Sequence, residues 1–564
     1  MTQLRNLNLE IFRRRESLWV LLLFGLLTTI AAWDIVTDLN GVIVGDDNDA
    51  YISVWANWWT ARALADPNTS LWQTDMIFAP LGADLTFHSF SHLNTLVTLG
   101  LRPFLGELPA HNLTVLLNYV LAGLSMYHLA KHQTKSTMAG ILAGIVFAFN
   151  SQNLYQSTHP NFVSVWCFPW ITLFFIRAVQ EDSIKFAIVA AFFVFLGAAT
   201  STVLVILMVF WLGILTVYLW VAKAYPRPSL RILFSFAGLS GLLILPLVWP
   251  QIQSAFSTTN GNAYLLDPNQ SIGTDIISVF LPTWWLQRSA DSGFLPPYII
   301  ETWVKRGMYL GIAPFYLAMI ALNNQRQRSR LWFILLLVIF LFAIGPIPAF
   351  VGISLKITLP WTLPVAPVLR QMYRMMILFT MGWAMVVAYG WIGFRQQLKK
   401  PRAITTVAFI LIGLAIFVDY TAVPFPHRPS QISAFYTDYL KDIPDDITLA
   451  TLPTGRQEDK RYMYYQTYHQ HPIVNGMVAR SSDANQQFIE ANPLLRAGAV
   501  DLDPVDLPDD PETAIQQLTA NQIGFLIIDK QLIDDVDLWR DYLPLPLVFE
   551  DASLLAYSTG FVDE

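Results

Sequence analysis

Apolar stretches of membrane-spanning length recur through the first three quarters of the chain, and no other feature restricts the possible folds as strongly. A helix needs about 20 apolar residues to cross the hydrocarbon core of a bilayer. Segments of or near that length fall at 17–37, 112–131, 136–151, 162–180, 184–200, 202–223, 230–250, 307–323, 331–350, 374–394 and 402–421. Only 13% of the 564 residues are charged and 54% are hydrophobic, whereas soluble proteins carry about 25% charged residues. The expectation is a mostly α, polytopic transmembrane bundle of about eleven helices. Segment 136–151 is short, and the two segments flanking Ala199 also read as one long bent element. Leu93 to Leu105 reads as a re-entrant or interfacial helix.

Orientation follows from the cations. With the N-terminus in the cytoplasm, the inside loops collect Lys131 and Lys135, Arg177 and Lys185, Lys223, Arg227 and Arg231, Arg326, Arg328 and Arg330, then Arg395, Lys399, Lys400 and Arg402. Every cluster falls on one side, as the positive-inside rule requires. The basic start (Arg5, Arg13, Arg14, Arg15) runs into the first apolar stretch without a small-residue cleavage site, so that helix is expected to stay as an anchor. Residues 38–92, 251–306, 351–373 and 422–564 then lie outside a multi-pass plasma-membrane protein. The chain divides into a transmembrane module, 1–423, whose exoplasmic loops are 38–92 and 251–306, and a soluble exoplasmic α/β domain, 424–564. In that tail apolar helical runs disappear and strand-like segments appear at Ile447 to Leu452 and Gly524 to Ile528. The Asp- and Pro-rich run from Asp501 to Glu512 reads as a solvated loop.

Several function classes fall away. One cysteine, Cys167, excludes a disulfide framework and a cysteine-based zinc site. No Walker loop, dinucleotide fingerprint or catalytic serine motif is present, so no nucleotide cofactor is expected, and nothing points to nucleic acid. The cytoplasmic loops are too short to hold a nucleotide sugar. His469 and His471 stand two apart, so that on a strand they would share a face, but they lack acidic or cysteine partners for a metal.

The most informative stretch follows the first helix: Gly45, Asp46, Asp47, Asn48, Asp49, Ala50 and Tyr51, then Trp55, Asn57, Trp58 and Trp59. Three carboxylates in four residues, beside aromatic rings at headgroup depth, suit a general base toward a hydroxyl or oxygen ligation of a hard divalent cation. They equally suit an acidic turn capping the helix that begins near Ala50. Both readings stand on these residues alone.

Gly45-Asp46, Asp49-Ala50 and Val54-Trp55-Ala56-Asn57-Trp58-Trp59 resemble the first exoplasmic loop of bacterial GT-C class membrane glycosyltransferases, which are polyprenyl-phosphate-sugar dependent and similar to dolichyl-phosphate-mannose mannosyltransferases. The likeness continues through Phe78 to Leu85, Phe87-His88, Leu93-Asn94, His111-Asn112-Leu113, Ala143-Gly144, Phe147-Ala148-Phe149 and His159-Pro160-Asn161. Glu301 ahead of Tyr309-Leu310-Gly311, Arg370 with Arg374, and Leu452-Pro453 with His471 to Gly476 agree with it more loosely. The resemblance implies inverting transfer of a sugar from a polyprenyl-phosphate-linked donor, reached through membrane lipid, to an extracytoplasmic glycan, lipid or protein acceptor. It places Asp46 as base, with Asp49 as its partner or as a ligand of a divalent cation, Mg or Mn. Asp47 occupies a position where the family often has a small residue.

A phosphate leaving group calls for fixed cations in a dry site. Arg370 and Arg374, a helical turn apart, suit such a clamp; they also suit snorkelling to lipid headgroups. Lys305 and Arg306 are an alternative clamp. His88 and His159 match family positions and are candidates for orienting donor phosphate or acceptor, and Glu301 for entering the cavity. Two rival classes remain. A transporter would carry ionisable residues in mid-helix, and the helix interiors here hold almost none. A non-catalytic scaffold subunit with the same fold and a membrane-protein partner would look nearly the same in sequence.

Overall fold

The computed structural model describes residues 14–221, 226–256, 272–296, 300–365, 369, 371–479 and 482–561, with the side chains of 14, 255, 256, 300 and 301 left aside. The chain forms two compact units. The first comprises Met1–Asp38, Ser91–Asn94 and Asn112–His427, the second Leu39–Phe90, Thr95–His111 and Arg428–Glu564.

The first unit is helical. Among the described residues, six helices are long and apolar enough to cross a membrane: Glu107–Thr134, Pro160–Gln180, Thr202–Val221, Leu230–Ser254, Met372–Leu398 and Arg402–Tyr420. Shorter apolar helices, Ile184–Thr200 and Ile312–Asn324, pack among them. Each of the eleven segments expected from the sequence overlaps a helix, but 307–323 is helical only from Ile312 and 331–350 only as far as Ala343, beyond which Ala349–Phe350 is a short strand. The stretch around Ala199 is two helices, because Ser201 adopts an extended conformation between Thr200 and Thr202. Leu93 to Leu105 lies within a helix, His92–Leu105, that leaves Leu96 and Phe104 exposed.

Burial sorts these helices. Pro160–Gln180 and Met372–Leu398 are each 94% buried, whereas Leu230–Ser254 is 17% and Arg402–Tyr420 28% buried although all four are apolar. Side chains such as Leu242, Val407 and Leu411 stand on the outside. An apolar exterior on this scale needs lipid as its solvent, so the chain is a membrane protein.

Between Thr137–Phe149 and Cys167–Gln180 the backbone breaks into short turns, Ser151–Tyr155, Gln156–Thr158 and Pro160–Val163. All these residues are buried except His159, which is partly so. Broken polar backbone is tolerated in such a bundle only inside protein or along a cavity. Its polar groups are tied inward: Asn150 accepts from the Asn153 N–H and donates to Phe147 O, and Ser151 accepts from the Tyr309 N–H.

The second unit is built on a four-stranded sheet, β1 (Thr448–Leu452), β2 (Ile523–Asp529), β3 (Leu547–Glu550) and β4 (Leu554–Ser558), in the order β1-β2-β4-β3. β1 and β2 are parallel and the remaining pairs antiparallel. The two strand-like segments read from the sequence are these parallel neighbours. Three helices of this unit carry its principal polar side chains: α1 (Asp49–Ala65), α2 (Asp459–His469) and α3 (Asp483–Ala491). One core joins α1 and the loop after it to the sheet, with Trp55, Trp59, Phe78 and Leu85 meeting Phe435, Leu449, Tyr462 and Phe525.

Candidate functional site

The acidic loop sits where β-like backbone turns into α1. Gly45 has φ of 118°, a conformation that side-chain-bearing residues rarely adopt, and this lets the chain swing Asp46 to the head of the helix. The next residues have separate roles. Asp47 accepts the backbone N–H of Asp49 on Oδ1 at 2.9 Å, so this carboxylate stabilises the first turn. Asn48 accepts from Arg428 Nη1 at 2.6 Å and donates to Gln457 O at 2.8 Å. Asp46 is half-buried beside them.

Asp49 meets a partner that sequence reasoning missed. Its Oδ1 lies 2.5 Å from Lys460 Nζ, with the lysine side chain 4% and the aspartate 28% exposed. Lys460 also donates to Gln457 Oε1 at 2.7 Å. The lysine comes from α2, which lies along α1: Tyr51 stacks on Tyr464 with ring centroids 5.1 Å apart, and Trp55 Nε1 donates to Gln466 Oε1 at 2.8 Å. Gln466 in turn donates to Met76 O and His471 O. In the sequence Lys460 closes the string Gln457-Glu458-Asp459-Lys460, which looks like any solvated charge run; only its position on α2 distinguishes it.

His88 belongs to the same unit. Its ring lies edge-on to Trp55 at 5.4 Å and to Phe90 at 5.0 Å, and neither nitrogen has a hydrogen-bond partner among the described residues. Burial pushes the imidazole down to about 4, so it is neutral at pH 7, and it is suited to donating or accepting a hydrogen bond rather than to holding an anion by charge.

The other candidates lie in the first unit. Arg374, in the turn Met372–Met375, places its guanidinium carbon 4.2 Å from the Phe162 ring centre, and the His159 ring is 5.9 Å from the same phenyl. A cation and an imidazole, 215 positions apart, thus flank one aromatic ring. Arg370 and the side chain of Glu301 lie outside the described residues. In the broken stretch that leads to His159, the amide of Gln152 is fully buried and neither its oxygen nor its nitrogen has a partner among the described residues. Sequence reasoning passed over Gln152 because it stands at the end of an apolar segment; the polar run Asn150 to Asn153 was the available signal.

Metal ligation finds little support in this donor set. Asp47 holds the Asp49 backbone N–H, Asp49 faces an ammonium, and no group of three His, Cys, Asp or Glu arranged to hold an ion occurs among the described residues. His469 and His471 are not on a strand: His469 ends α2 and accepts the His471 backbone N–H on Nδ1.

No family model and no curated protein matches the chain. Solved structures do. Arabinofuranosyltransferase AftD from Mycobacteria aligns at a TM-score of 0.59 and 16% identity over 97% of this chain and 42% of its own, so this chain spans less than half of that protein. The oligosaccharyltransferase from Archaeoglobus fulgidus aligns at 0.52 and 11% identity over 92% of this chain and 70% of its own, and it has also been solved with zinc and sulfate. ArnT from Cupriavidus metallidurans, in the apo state, aligns at 0.50 and 12% identity over 96% and 98%. At these identities the likeness is one of architecture, and the chain has the GT-C fold of these membrane proteins.

Proposed function

We propose that the chain is an integral-membrane glycosyltransferase that moves a sugar from a polyprenyl-phosphate-linked donor to an acceptor hydroxyl on the extracytoplasmic side. The observation that carries this reading is the acidic turn at the head of α1, present in a chain whose fold is that of two named glycosyltransferases. Asp46 is the general base. It takes the acceptor proton as the acceptor oxygen attacks the anomeric carbon, while the bond from that carbon to the donor phosphate breaks on the opposite face. Asp49 acts beside it, its charge matched by Lys460, and no step is routed through a metal. Arg374 and His159, with Arg370 and Glu301, attend the phosphate that leaves. The N-terminus lies in the cytoplasm, and 424–564 lies outside with the loop 38–92.

The test is transfer in reconstituted membranes supplied with a polyprenyl-phosphate sugar. Asp46→Asn is expected to lower the rate by about 10²–10⁴-fold, the usual worth of a general base, with insertion into the membrane unchanged. Full activity in that variant would remove the assignment. A second reading, a non-catalytic subunit with this fold, is favoured by one observation: Asp49 is already engaged by a buried ammonium. It predicts no transfer product from the wild type. Orientation is open to cysteine labelling, because the single native cysteine, Cys167, is buried and introduced cysteines would report alone.

A further inference from the structure

The second unit holds a cavity that the acidic turn does not use. Its volume is about 200 Å³, and it opens beyond the carboxyl end of β1, where the chain passes through Thr454 and Gly455 into α2. Phe78, Arg456, Asp459, Asn485, Gln486 and Asp501 contribute its wall. Pockets for drug-sized ligands run to roughly 300–1,000 Å³, so this one admits a single small ring.

Charge narrows the ligand. Two acidic side chains, Asp459 and Asp501, and the Arg456 guanidinium line the cavity; Asp501 Oδ2 already accepts the Arg456 backbone N–H at 2.5 Å while Arg456 Nη1 donates to Val478 O at 3.4 Å. The Asp501 carboxylate offsets the charge of the Arg456 guanidinium, so the lining carries no surplus of positive charge for an anion. A metal would lack ligands, as no group of three His, Cys, Asp or Glu is gathered among the described residues. Carboxylate, amide and guanidinium groups together offer donors and acceptors to a neutral molecule rich in hydroxyls.

The apolar side of the cavity is held with some effort. Phe78 has φ of 53°, a left-handed conformation that a non-glycine residue keeps only where its surroundings enforce it. Its N–H bonds to Asn475 O at 3.3 Å, and its ring lies against Gly476, where a Cβ would come within 2.7 Å of the phenyl. Asp459 ties the neighbouring turns together, accepting from the Gly455 N–H at 3.2 Å, the Gly476 N–H at 3.0 Å and Asn475 Nδ2 at 2.9 Å. One cavity thus combines a fixed aromatic ring with amide, carboxylate and guanidinium groups, the combination that receives a sugar ring with its C–H face on a phenyl and its hydroxyls on polar side chains.

We infer that this cavity binds one neutral pyranose, packed on Phe78 and hydrogen-bonded by Asn485, Gln486, Arg456 and Asp501. The run beginning at Asp501 reads as solvated loop in the sequence; the fold turns its first residue into a wall. Binding here requires no donor and no turnover, so the site stands or falls separately from the transferase reading.

The experiment is a titration of the full-length protein in nanodiscs with methyl glycosides of glucose, mannose, galactose and N-acetylglucosamine, followed by saturation-transfer NMR, with inorganic phosphate in parallel. At least one glycoside is expected to bind saturably. Gln486→Ala, at an exposed position on α3, is expected to weaken that binding by about two- to tenfold, the worth of one hydrogen bond. Ile489→Trp, which fills the cavity, is expected to abolish it. The inference is overturned if no glycoside binds the wild type, if Gln486→Ala leaves the affinity unchanged, or if phosphate displaces the bound glycoside.

Discussion

The two units solve opposite solvation problems. In the first, apolar side chains form both the core and much of the exterior, and polar groups such as Asn150, Gln152 and Asn153 are drawn inside. In the second, β1 and β2 are buried along their whole length, and much of the charge lies in matched contacts, as with Lys530 and Arg540 on Glu550. The same residue type therefore carries different weight in each. A buried amide in the first unit must find its partner inside protein or along a cavity, whereas a carboxylate in the second can be met by a lysine from a distant helix. Buried polar groups are informative where the surroundings are dry, and charge pairing is informative where water is near.

The largest expected effect sharpens the second half of that contrast. Asp49→Asn leaves the Lys460 ammonium in a site that is 4% exposed, and stranding a buried charge costs about 3–5 kcal/mol. Lys460→Met leaves an aspartate that still reaches solvent, and the loss is expected to be smaller, roughly 1 kcal/mol, as for partly exposed ion pairs. Chemical denaturation of the two single variants and the double variant measures the difference. Equal losses would mean that the lysine is not the buried member of the pair.

A second test concerns Asp459. Burial pushes its carboxyl from an ordinary 3.8 up to about 7, against the hydrogen bonds from Gly476, Asn475 and Gly455 and with the charge of Glu458 adding to the rise. The folded unit thus keeps a proton that the unfolded chain releases near pH 4. Its contribution to stability is complete below that pH and drains away as pH rises toward 7, at up to about 1.4 kcal/mol per pH unit. Thermal unfolding of wild type against Asp459→Asn, followed from pH 4 to pH 7, is expected to show a steeper decline in the wild type. Parallel curves would contradict it.

The smallest effect belongs to the first unit. Gln152→Leu removes an amide with no partner among the described residues; if the site is dry, stability is expected to rise by about 1–3 kcal/mol, the cost of an unsatisfied buried group. Transfer activity is the companion measurement. A more stable but slower variant would show that the amide serves the substrate, and a destabilised one would show that it already has a partner.

Much of the fold was legible in the residues themselves. Hydrophobic length determined where helices run, because lipid admits only helices that satisfy their own backbone, and short apolar runs between turn signals marked β1 and β2. The site was legible in part. The cluster Asp46, Asp47 and Asp49 stood out by local density, yet density did not distinguish a carboxylate that holds a backbone N–H, Asp47, from one matched by a lysine, Asp49. Nor did it reveal Lys460, 411 residues further along. Which residues meet across such distances depends on how α2 lies along α1, and that is decided by packing of Tyr51 on Tyr464 and Trp55 on Gln466. The pairing of His159 and Arg374 around Phe162 is of the same kind. Solvation determines the elements residue by residue along the chain, while contact between elements depends on three-dimensional packing, which no local pattern encodes.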